Sequence, residues 1–334
     1  MSKRALDVSP VSPSSNKRYN FTTVASLCGD TDKLHSWLRA KNIIGDFDGI
    51  KCSKCNNGYF RLRKDTSRVD GVVWRCSKTR TCSFKFSIRE GSWFSKAHLS
   101  LSTVLQLTYL WVNKVEQDFV QKELGISNNT VADWYSLCRE VCVEVVETLE
   151  CEQIGGRGTV VEIDESKFGK RKFHKGRRVE GVWVFGGIER GTNKCFFETV
   201  TDRSAETLIP IIKKWVLPGT TIHSDCWKAY ASLSEEGYDH KTVNHSVEFV
   251  NSTTGAYTQG IESHWRAVKA PLPRFGTQKQ LYDSYFATYV VRRKYLKNSH
   301  DSFLTFLELI QRVYTPKPRV HDSKKRYEEE AAGQ

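Results

Sequence analysis

Three acidic residues occupy positions at which a metal-dependent catalytic site could form. Asp164 closes an apolar, β-branched run that predicts a buried strand, and Asp225 closes a second run of the same kind. Glu262 lies near the start of Gln259–Lys269, whose pattern predicts a helix. Carboxylate oxygens suit Mg²⁺ or Mn²⁺, and two such ions can stabilise both the attacking and the leaving oxygen of a phosphodiester. The sequence therefore predicts a phosphoryl-transfer site in which Asp164, Asp225 and Glu262 bind two Mg²⁺ or Mn²⁺ ions.

Other carboxylates near these motifs compete for the same role. Glu162 and Glu165 lie on the first predicted strand, and Glu248 precedes the predicted helix. Glu162 alternates onto the same strand face as Asp164, but it lies one pleat further inside the strand, so Asp164 is the preferred ligand. For the histidines and tryptophans of the motifs we expect packing or hydrogen bonding to the ligands; these are His223, Trp227, His245, His264 and Trp265.

The composition favours a polyanionic partner. The chain has 334 residues, with 51 Lys and Arg against 38 Asp and Glu, which gives a formal net charge of +13. This balance is typical of nucleic-acid-binding proteins, although a generally basic protein without that partner remains an alternative. No apolar run approaches the ~20 residues of a membrane span, and the first residues lack the apolar stretch of a secretory signal. We therefore expect a soluble, intracellular protein with no membrane association.

Four of the ten cysteines have metal-ligand spacing. Cys52 and Cys55 are separated by two residues, and Cys76 and Cys82 follow on a second β-like stretch with five residues between them. Four thiolates in two pairs predict a zinc ribbon, in which a tetrahedral Zn²⁺ stabilises the fold and takes no part in the chemistry. The alternative is four unrelated reduced cysteines.

Residues 117–134 have the layout of a helix-turn-helix. An apolar helix is followed by Gly125, which permits a turn, and by Ser127, which can cap a second helix packed through Val131 and Trp134. The second helix would lie in a DNA major groove, where the side chains at its N-terminus reach base edges; these are Asn128, Asn129 and Thr130. A helical hairpin with no DNA role has a similar pattern and remains an alternative.

A basic segment follows the first of the three carboxylates. Seven of the twelve residues 167–178 are Lys or Arg, namely Lys167, Lys170, Arg171, Lys172, Lys175, Arg177 and Arg178. We expect a hairpin arm that binds a DNA phosphate backbone beside the metal site, with a solvated basic turn as the alternative. Arg266 and Lys269 lie on the same helix face as Glu262 and are expected to contact the DNA strand there.

The order of the predicted elements defines the fold class. From residue 159 it reads strand, strand, strand, helix, strand, helix and then the acidic helix. This order gives an α/β domain, a ribonuclease H-like mixed sheet flanked by helices, with the ends of the first and fourth strands side by side. We divide the chain into a disordered basic tail (1–20), an N-terminal helix plus zinc ribbon (21–97), a helix-turn-helix domain (98–154), the catalytic domain (155–315) and a charged tail (316–334).

In this ordered set of motifs the chain resembles the Merlin-type DDE transposases and the related bacterial insertion-sequence transposases. The matching segments are CSKC, RCSKTRTCSFKFS, VEIDESKFGKRK, TIHSDCWKAY and QGIESHWRAVK. Thirty-six residues separate Asp225 from Glu262, the interval found in the Merlin group. The resemblance implies cut-and-paste transposition, with Asp164, Asp225 and Glu262 carrying the catalysis.

The resemblance also implies the partners. These are double-stranded DNA at the transposon terminal inverted repeats and at the target, and the handling of two ends suggests a homodimer or higher assembly. Basic clusters in both tails resemble weak nuclear-import signals, so we expect nuclear localisation in a eukaryote and otherwise a location in the cytoplasm or nucleoid. Two alternatives remain: a transposon-derived DNA-binding protein without catalysis, and a structure-selective nuclease of the same fold.

Overall fold

The N-terminal part of the chain begins with two short helices, α1 (Phe21–Cys28) and α2 (Thr31–Ala40). Asp30 caps α2, as the sequence predicts, because its side chain accepts a 3.0 Å hydrogen bond from the N–H of Lys33. No helix within the described residues is both long enough and apolar enough to span a lipid bilayer. The computed structural model describes residues 18–149, 152–169, 181–272 and 278–320.

A three-stranded antiparallel sheet follows and carries the four cysteines. Its strands, in spatial order, are β1 (Phe60–Lys64), β2 (Val72–Cys76) and β3 (Lys85–Ser87). Phe60, Trp74 and Phe86 form a small aromatic core in this sheet. The buried guanidinium of Arg89 donates two 2.6 Å hydrogen bonds to Asp70, which ties the segment after β3 to the loop before β2.

Three helices form the next unit: α3 (Leu101–Val112), α4 (Gln117–Leu124) and α5 (Asn128–Leu149). Gly125 has a φ of +62°, in the left-handed region that glycine adopts without strain, and the chain turns there. Ser127 caps α5, because its hydroxyl accepts a 3.1 Å hydrogen bond from the N–H of Thr130. Val131 and Trp134 are buried. The helix-turn-helix geometry expected from the sequence is therefore present.

The region from residue 154 is built on a five-stranded mixed sheet. The region contains seven strands: β4 (Ile154–Gly155), β5 (Val160–Phe168), β6 (Val182–Glu189), β7 (Cys195–Val200), β8 (Val216–Leu217), β9 (Thr221–Asp225) and β10 (Asp239–Val243). The two-residue strands β4 and β8 pair with each other, and the other five form a sheet in the order β10-β9-β5-β6-β7. β6 is antiparallel to both of its neighbours, β5 and β7, whereas β9 and β10 run parallel to β5. This is the ribonuclease H-like mixed sheet that the sequence predicts.

Helices cover both faces of this sheet. One face packs on α6 (Ala205–Trp215), and the other packs on α7 (Gln259–Lys269) and α8 (Tyr282–Val291). The serine before α6 caps it, since Ser204 Oγ accepts a hydrogen bond from the N–H of Thr207 at 3.3 Å. The sheet is therefore the middle layer of three, and both faces of each central strand are covered.

One expectation about β5 is wrong, because the strand does not end at Asp164. It continues for four more residues, since its antiparallel partner β6 supplies hydrogen bonds as far as Phe168. The parallel pairing of β5 with β9 ends earlier, at Glu162 and His223. The two strands therefore separate just before Asp164 and Asp225, and this separation, rather than a strand end, opens the space between the two aspartates.

A second expectation is wrong after β9, where the sequence pattern suggested a helix. The chain makes a single 3₁₀ turn over Lys228–Tyr230 and then adds β10 as an edge strand. The sequence of β10, DHKTV, has few apolar residues, and an edge strand tolerates this because its outer side faces solvent. Tyr230 and Leu233, in the segment between β9 and β10, are buried against the α6 face of the sheet.

The last helix, α9 (Ser302–Val313), packs away from the sheet. Its Phe306 contacts Trp111 of α3 with a ring-centroid distance of 4.8 Å, and Phe303 contacts Tyr109 at 5.3 Å. The core of α1 to α5 thus includes residues from the C-terminal end of the chain. The division into domains at residues 98–154 and 155–315 stays a prediction. In the structure, residues from both of these ranges contribute to one hydrophobic core.

Arg292 joins the two cores. It follows α8, where the helix widens into a π-helical turn over Arg292–Leu296. Its guanidinium donates hydrogen bonds to the carbonyl oxygens of Val112 (2.8 Å) and Trp111 (2.7 Å) and lies 4.3 Å from the Trp111 ring centroid. These carbonyls belong to the last turn of α3, where carbonyl oxygens lack the usual intrahelical donors, and Trp111 O also accepts a 3.0 Å hydrogen bond from the N–H of Lys114. The Arg292 side chain therefore supplies hydrogen-bond donors to the C-terminal end of α3 and holds α8 against that helix.

Replacing Arg292 by Met should lower the free energy of unfolding by about 2–4 kcal/mol, because two carbonyl oxygens lose their hydrogen bonds from a charged guanidinium. Urea unfolding followed by circular dichroism measures the change. Arg312→Met, at an exposed position of α9, is the matched control and should alter stability by less than ~0.5 kcal/mol. Equal stability of the two variants would contradict the role given to Arg292.

Candidate active site

Asp164 lies where β5 has lost its parallel neighbour and keeps its antiparallel one. The residue directly opposite on β6 is Gly186. A Cβ atom at that position would lie 2.8 Å from the ring of Trp265, so only glycine leaves room for the indole. The indole N–H of Trp265 donates a 2.9 Å hydrogen bond to Asp164 Oδ2. This contact fixes the orientation of the first predicted carboxylate.

The other two predicted ligands come from β9 and α7. Asp225 ends β9, and its Oδ1 accepts a 3.0 Å hydrogen bond from the backbone N–H of Trp227. Glu262 lies in the first turn of α7 with 51% of its side chain exposed, and its Oε1 is 3.4 Å from His245 Nε2. His245 Nε2 also lies 2.8 Å from Thr258 Oγ1 at the start of the helix. The loop before α7 thus positions Glu262.

The charges of this site are not neutralised by basic side chains. Burial, above all, raises the pKa of Asp164 to about 6; the hydrogen bond from Trp265 opposes the rise, and the negative charges of Asp225 and Glu262 add to it. Within the described ranges, none of the three carboxylates forms an ion pair with a lysine or an arginine. An unneutralised set of oxygen donors favours a hard divalent cation such as Mg²⁺ or Mn²⁺.

The three carboxylates are spaced more widely than the ligands of one small ion. Among the described residues, only the four predicted zinc ligands form a group of three or more possible metal ligands with all ligand atoms within 4.8 Å of one another. Two ions about 3.5–4 Å apart need a wider set of ligands. The spacing of Asp164, Asp225 and Glu262 is compatible with a two-ion site.

Glu162, which shares the strand face of Asp164, has a different role. Its side chain is buried, and its Oε1 accepts a 2.6 Å hydrogen bond from Arg190 Nε, just after β6. Its Oε2 accepts a 2.9 Å hydrogen bond from the N–H of Ile261 in the first turn of α7. The local N-cap residue, Thr258, provides no side-chain cap. Glu162 therefore caps α7 from the neighbouring strand, where the positive end of the helix dipole favours its charge.

The remaining competing carboxylates lie elsewhere. Alternation along β5 places Glu165 on the α6 face, where burial raises its pKa to about 7. Glu248 accepts a 3.1 Å hydrogen bond from the N–H of Ser252, within the loop that leads to α7. Asp164 is therefore the carboxylate of β5 that faces α7 at the point where the strands separate.

The histidines of the motifs make supporting hydrogen bonds. His223 Nδ1 accepts a 3.2 Å hydrogen bond from the N–H of Tyr257, and His264 Nδ1 lies 3.1 Å from the hydroxyl of Tyr289. Burial is the main reason that the pKa of each imidazole is lowered to about 4, so both are neutral near pH 7. They stabilise the loop and helix that carry Glu262, which agrees with the packing role expected for them.

The four predicted zinc ligands converge beside the ribbon sheet. The Sγ distances of Cys52 to Cys82 (3.9 Å) and Cys55 to Cys76 (3.6 Å) are close to the ~3.8 Å edge of a tetrahedron with Zn–S bonds of ~2.3 Å. A turn takes up the five residues before Cys82, whose N–H donates a 2.7 Å hydrogen bond to Lys78 O. The cluster fits a tetrahedral metal ion.

Comparison with known proteins identifies the region that holds the carboxylates. Residues 153–298 match the ISXO2-like transposase domain. A Haemophilus influenzae protein named "Uncharacterized transposase-like protein" is 29% identical over 93 residues, which are 28% of this chain and 74% of that protein. These two matches support a transposase domain of the bacterial insertion-sequence type in residues 153–298, and this region is called the transposase domain below. A solved structure titled "Crystal structure of a pre-cleavage Mos1 transpososome" aligns with 64% of this chain and 80% of its own chain, with a TM-score of 0.17 and 7% sequence identity.

Part of the basic surface predicted to bind DNA is visible on the transposase domain. Lys167 lies on β5, with its Nζ 5.3 Å from the ring centroid of Trp183. On α7, Arg266 is exposed, and Lys269 Nζ donates a 2.6 Å hydrogen bond to Ser166 Oγ. The other predicted arm residues lie outside the described residues; these are Lys170, Arg171, Lys172, Lys175, Arg177 and Arg178.

The predicted base-reading residues precede the transposase domain, at the start of α5. Asn128 and Asn129 are exposed, so their amides can reach a partner. Thr130 is half-buried, and its hydroxyl lies 2.8 Å from Ser127 Oγ in the helix cap. The two asparagines are therefore better placed for contacts with DNA bases than the threonine.

Sequence reasoning missed the residues that hold the carboxylates of the transposase domain in place. Gly186 had a usable signal, because a glycine inside an apolar strand often marks the close approach of another group. Arg190 had none, since its partner Glu162 is 28 positions away and the pairing appears only when β5 and β6 are adjacent. Trp265 was identified as a supporting residue, but its carboxylate partner could not be named from the sequence.

Gly260→Ala should destabilise the transposase domain by about 1–3 kcal/mol. A Cβ atom there would lie 2.7 Å from both carboxylate oxygens of Glu162, so the start of α7 must shift away from β5. Thermal or urea unfolding measures the loss. Gly29→Ala, where the nearest atoms would be 3.6 Å away, is the control and should leave stability within ~0.5 kcal/mol of the wild type. A fully stable Gly260→Ala variant would show that Glu162 does not hold the helix at this distance.

Proposed function

We propose that the chain is a Merlin-type DDE transposase that cuts DNA at transposon ends and joins the cut ends to target DNA. The observation that carries the proposal is the site at the separation of β5 and β9. There β5 and β9 carry Asp164 and Asp225 just beyond the end of their mutual pairing, and α7 presents Glu262, which pairs with no lysine or arginine among the described residues. The match to a transposase domain supports the DNA substrate.

The carboxylates of this site would hold two Mg²⁺ or Mn²⁺ ions, which supply Lewis-acid activation of the attacking oxygen and charge stabilisation of the leaving 3′-oxygen. The N–H groups of Trp265 and Trp227 fix Asp164 and Asp225 before substrate arrives. The Glu162 cap fixes the helix that carries Glu262. Such preorganisation reduces the rearrangement that the reaction requires.

The same site would serve both steps of transposition. In the first step water attacks the phosphodiester at the transposon end, and in the second the freed 3′-hydroxyl takes the place of water and attacks target DNA. Each step exchanges one phosphodiester or P–O bond for another, so no nucleotide cofactor and no covalent enzyme intermediate are required. Arg266 and Lys269, on the exposed side of α7, would bind the phosphates of the strand being cut.

Recognition of the ends would fall to the parts of the chain before residue 153. The exposed Asn128 and Asn129 lie at the start of α5, the position from which a helix in the major groove contacts base edges. Two transposon ends would require at least a homodimer. We further propose nuclear localisation in a eukaryotic host, directed by the basic clusters of the tails, and otherwise a location in the cytoplasm or nucleoid.

Asp225→Asn should reduce DNA cleavage by ~10²-fold or more, because loss of one ligand removes several kcal/mol of transition-state stabilisation. The substrate is a labelled duplex that carries the terminal repeat flanking the gene, with Mg²⁺ or Mn²⁺ added. DNA binding should persist, since the basic surfaces are unchanged. Asp239→Asn, at an exposed position of β10, is the matched control and should cut normally.

Two outcomes would reject parts of the proposal. If Asp164→Ala, Asp225→Ala and Glu262→Ala all keep full activity, the carboxylate assignment is wrong. If wild type and variants bind the repeat equally and none cuts it, the chain is a transposon-derived DNA-binding protein. Cleavage of branched DNA in preference to the repeat would favour a structure-selective nuclease.

We also propose that the cysteine cluster holds one structural Zn²⁺. Purified protein should contain about one zinc per chain by mass spectrometry, and Cys76→Ser should lose the metal and destabilise the ribbon, because a structural zinc site contributes folding energy. Cys28→Ser is the matched control, since Cys28 lies outside the cluster and donates a 3.5 Å hydrogen bond to Ser102 O that serine can replace. Full zinc content in Cys76→Ser would contradict the assignment.

A further inference from the structure

A stack of alternating cations and tryptophans lies beside the active site. Lys167 Nζ is 5.3 Å from the ring centroid of Trp183. The guanidinium carbon of Arg203 is 4.3 Å from the ring centroid of Trp183 and 4.4 Å from that of Trp227. All four side chains are half-buried, with part of each facing solvent. These four residues, Lys167, Trp183, Arg203 and Trp227, are named the Trp–Arg stack.

The Trp–Arg stack starts at the carboxylates and continues over the α6 face of the sheet. Trp227 is two residues after Asp225 and donates its backbone N–H to that carboxylate at 3.0 Å. Lys167 and Trp183 lie directly opposite each other on β5 and β6. Alternation along β5 places Lys167 on the face opposite to α7, which carries Lys269. Cations therefore flank the catalytic edge on both faces of the sheet.

Arg203 is held in place without the use of its side-chain hydrogen-bond donors. The two indoles cover the faces of the guanidinium, and Trp227 Nε1 donates a 2.9 Å hydrogen bond to the backbone oxygen of Arg203. Among the described residues, this guanidinium donates no hydrogen bond and forms no ion pair within 4.0 Å. Its five N–H donors can therefore serve a ligand that accepts hydrogen bonds.

The contacts of Arg203 differ from those of Arg292, an arginine that holds two helices together. Arg292 also lies against a tryptophan, but it donates to the carbonyl oxygens of Trp111 and Val112 and thereby joins two helices. Arg203 has the aromatic contacts without the carbonyl partners. A side chain whose plane is already fixed loses less entropy when it binds a phosphate with two parallel hydrogen bonds.

We propose that the Trp–Arg stack binds the phosphate backbone of duplex DNA on the side of the catalytic edge opposite to α7. Lys167 supplies a second charge next to the guanidinium, and the indoles hold both cations in position. Lys269 would contact the backbone from the α7 face, so the duplex would be held on both sides of the phosphate being cut. The identity of the partner as DNA rests on the proposed function.

The test is the salt dependence of DNA affinity, measured by fluorescence anisotropy with full-length protein and the labelled terminal-repeat duplex in EDTA. Arg203→Met keeps a linear side chain between the indoles but removes the charge and the donors. We expect about a tenfold loss of affinity and a log–log salt slope smaller by about one, because one phosphate contact is lost. Arg203→Lys should keep the slope and lose part of the affinity, since the planar fork is absent.

Matched controls separate this role from general charge and from folding. Arg312→Met removes one exposed arginine without tryptophan neighbours and should leave affinity and slope unchanged. Lys167→Met should reproduce the smaller slope, and it provides the test if Arg203→Met fails to fold. An unchanged slope in both Arg203→Met and Lys167→Met would overturn the proposal, as would an equal loss in Arg312→Met. The binding assay contains EDTA, so its result does not depend on cleavage. Failure of the separate cleavage assay with Mg²⁺ or Mn²⁺ would therefore reject the proposed activity and leave the binding result unchanged.

Discussion

The buried carboxylate of Glu162 is the constraint on which the active site depends. An ionised carboxylate removed from water costs several kcal/mol unless partners compensate for the lost solvation. The partners here are Arg190 Nε at 2.6 Å and the N–H of Ile261 at 2.9 Å. Since Glu162 belongs to β5, Arg190 follows β6 and Ile261 begins α7, satisfying this one charge fixes three elements together. Glu262 is the next residue, so its position at the catalytic edge follows from this contact.

Sequence patterns could predict the elements of the site because the relevant signals are local. The apolar runs before Asp164 and Asp225, and the helical pattern around Glu262, identify three carboxylates on three elements. The adjacency of the first and fourth predicted strands follows from the ribonuclease H-like arrangement, and the observed neighbours β5 and β9 confirm it. The cysteine spacing and the turn at Gly125 were predictable for the same reason, since each depends on residues close together in the chain.

The sequence did not predict features that depend on distant partners. β5 continues through the polar run Glu165–Lys167 because β6 lies beside it, and no local apolar pattern reports this pairing. β10 was missed because an edge strand needs fewer apolar residues than a central one. Glu162 was a competing candidate ligand, since it shares a strand face with Asp164. Its contacts with Arg190 and with the start of α7 show that it caps the helix instead. The carboxylates could be found from the sequence, whereas the supporting contacts of Glu162 became visible only in the fold.

The long helix α5 connects the two parts of the proposed activity. Its 22 residues span about 33 Å at ~1.5 Å per residue, which is close to one turn of B-DNA at about 34–36 Å. One end carries the exposed Asn128 and Asn129, and the other precedes the sheet of the transposase domain. α8 packs along α5, and Arg292 ties α8 to α3, so this spacing is held by packing on two sides. Under the proposed function, DNA read by the asparagines would therefore be held in a position relative to the transposase domain that the protein core fixes.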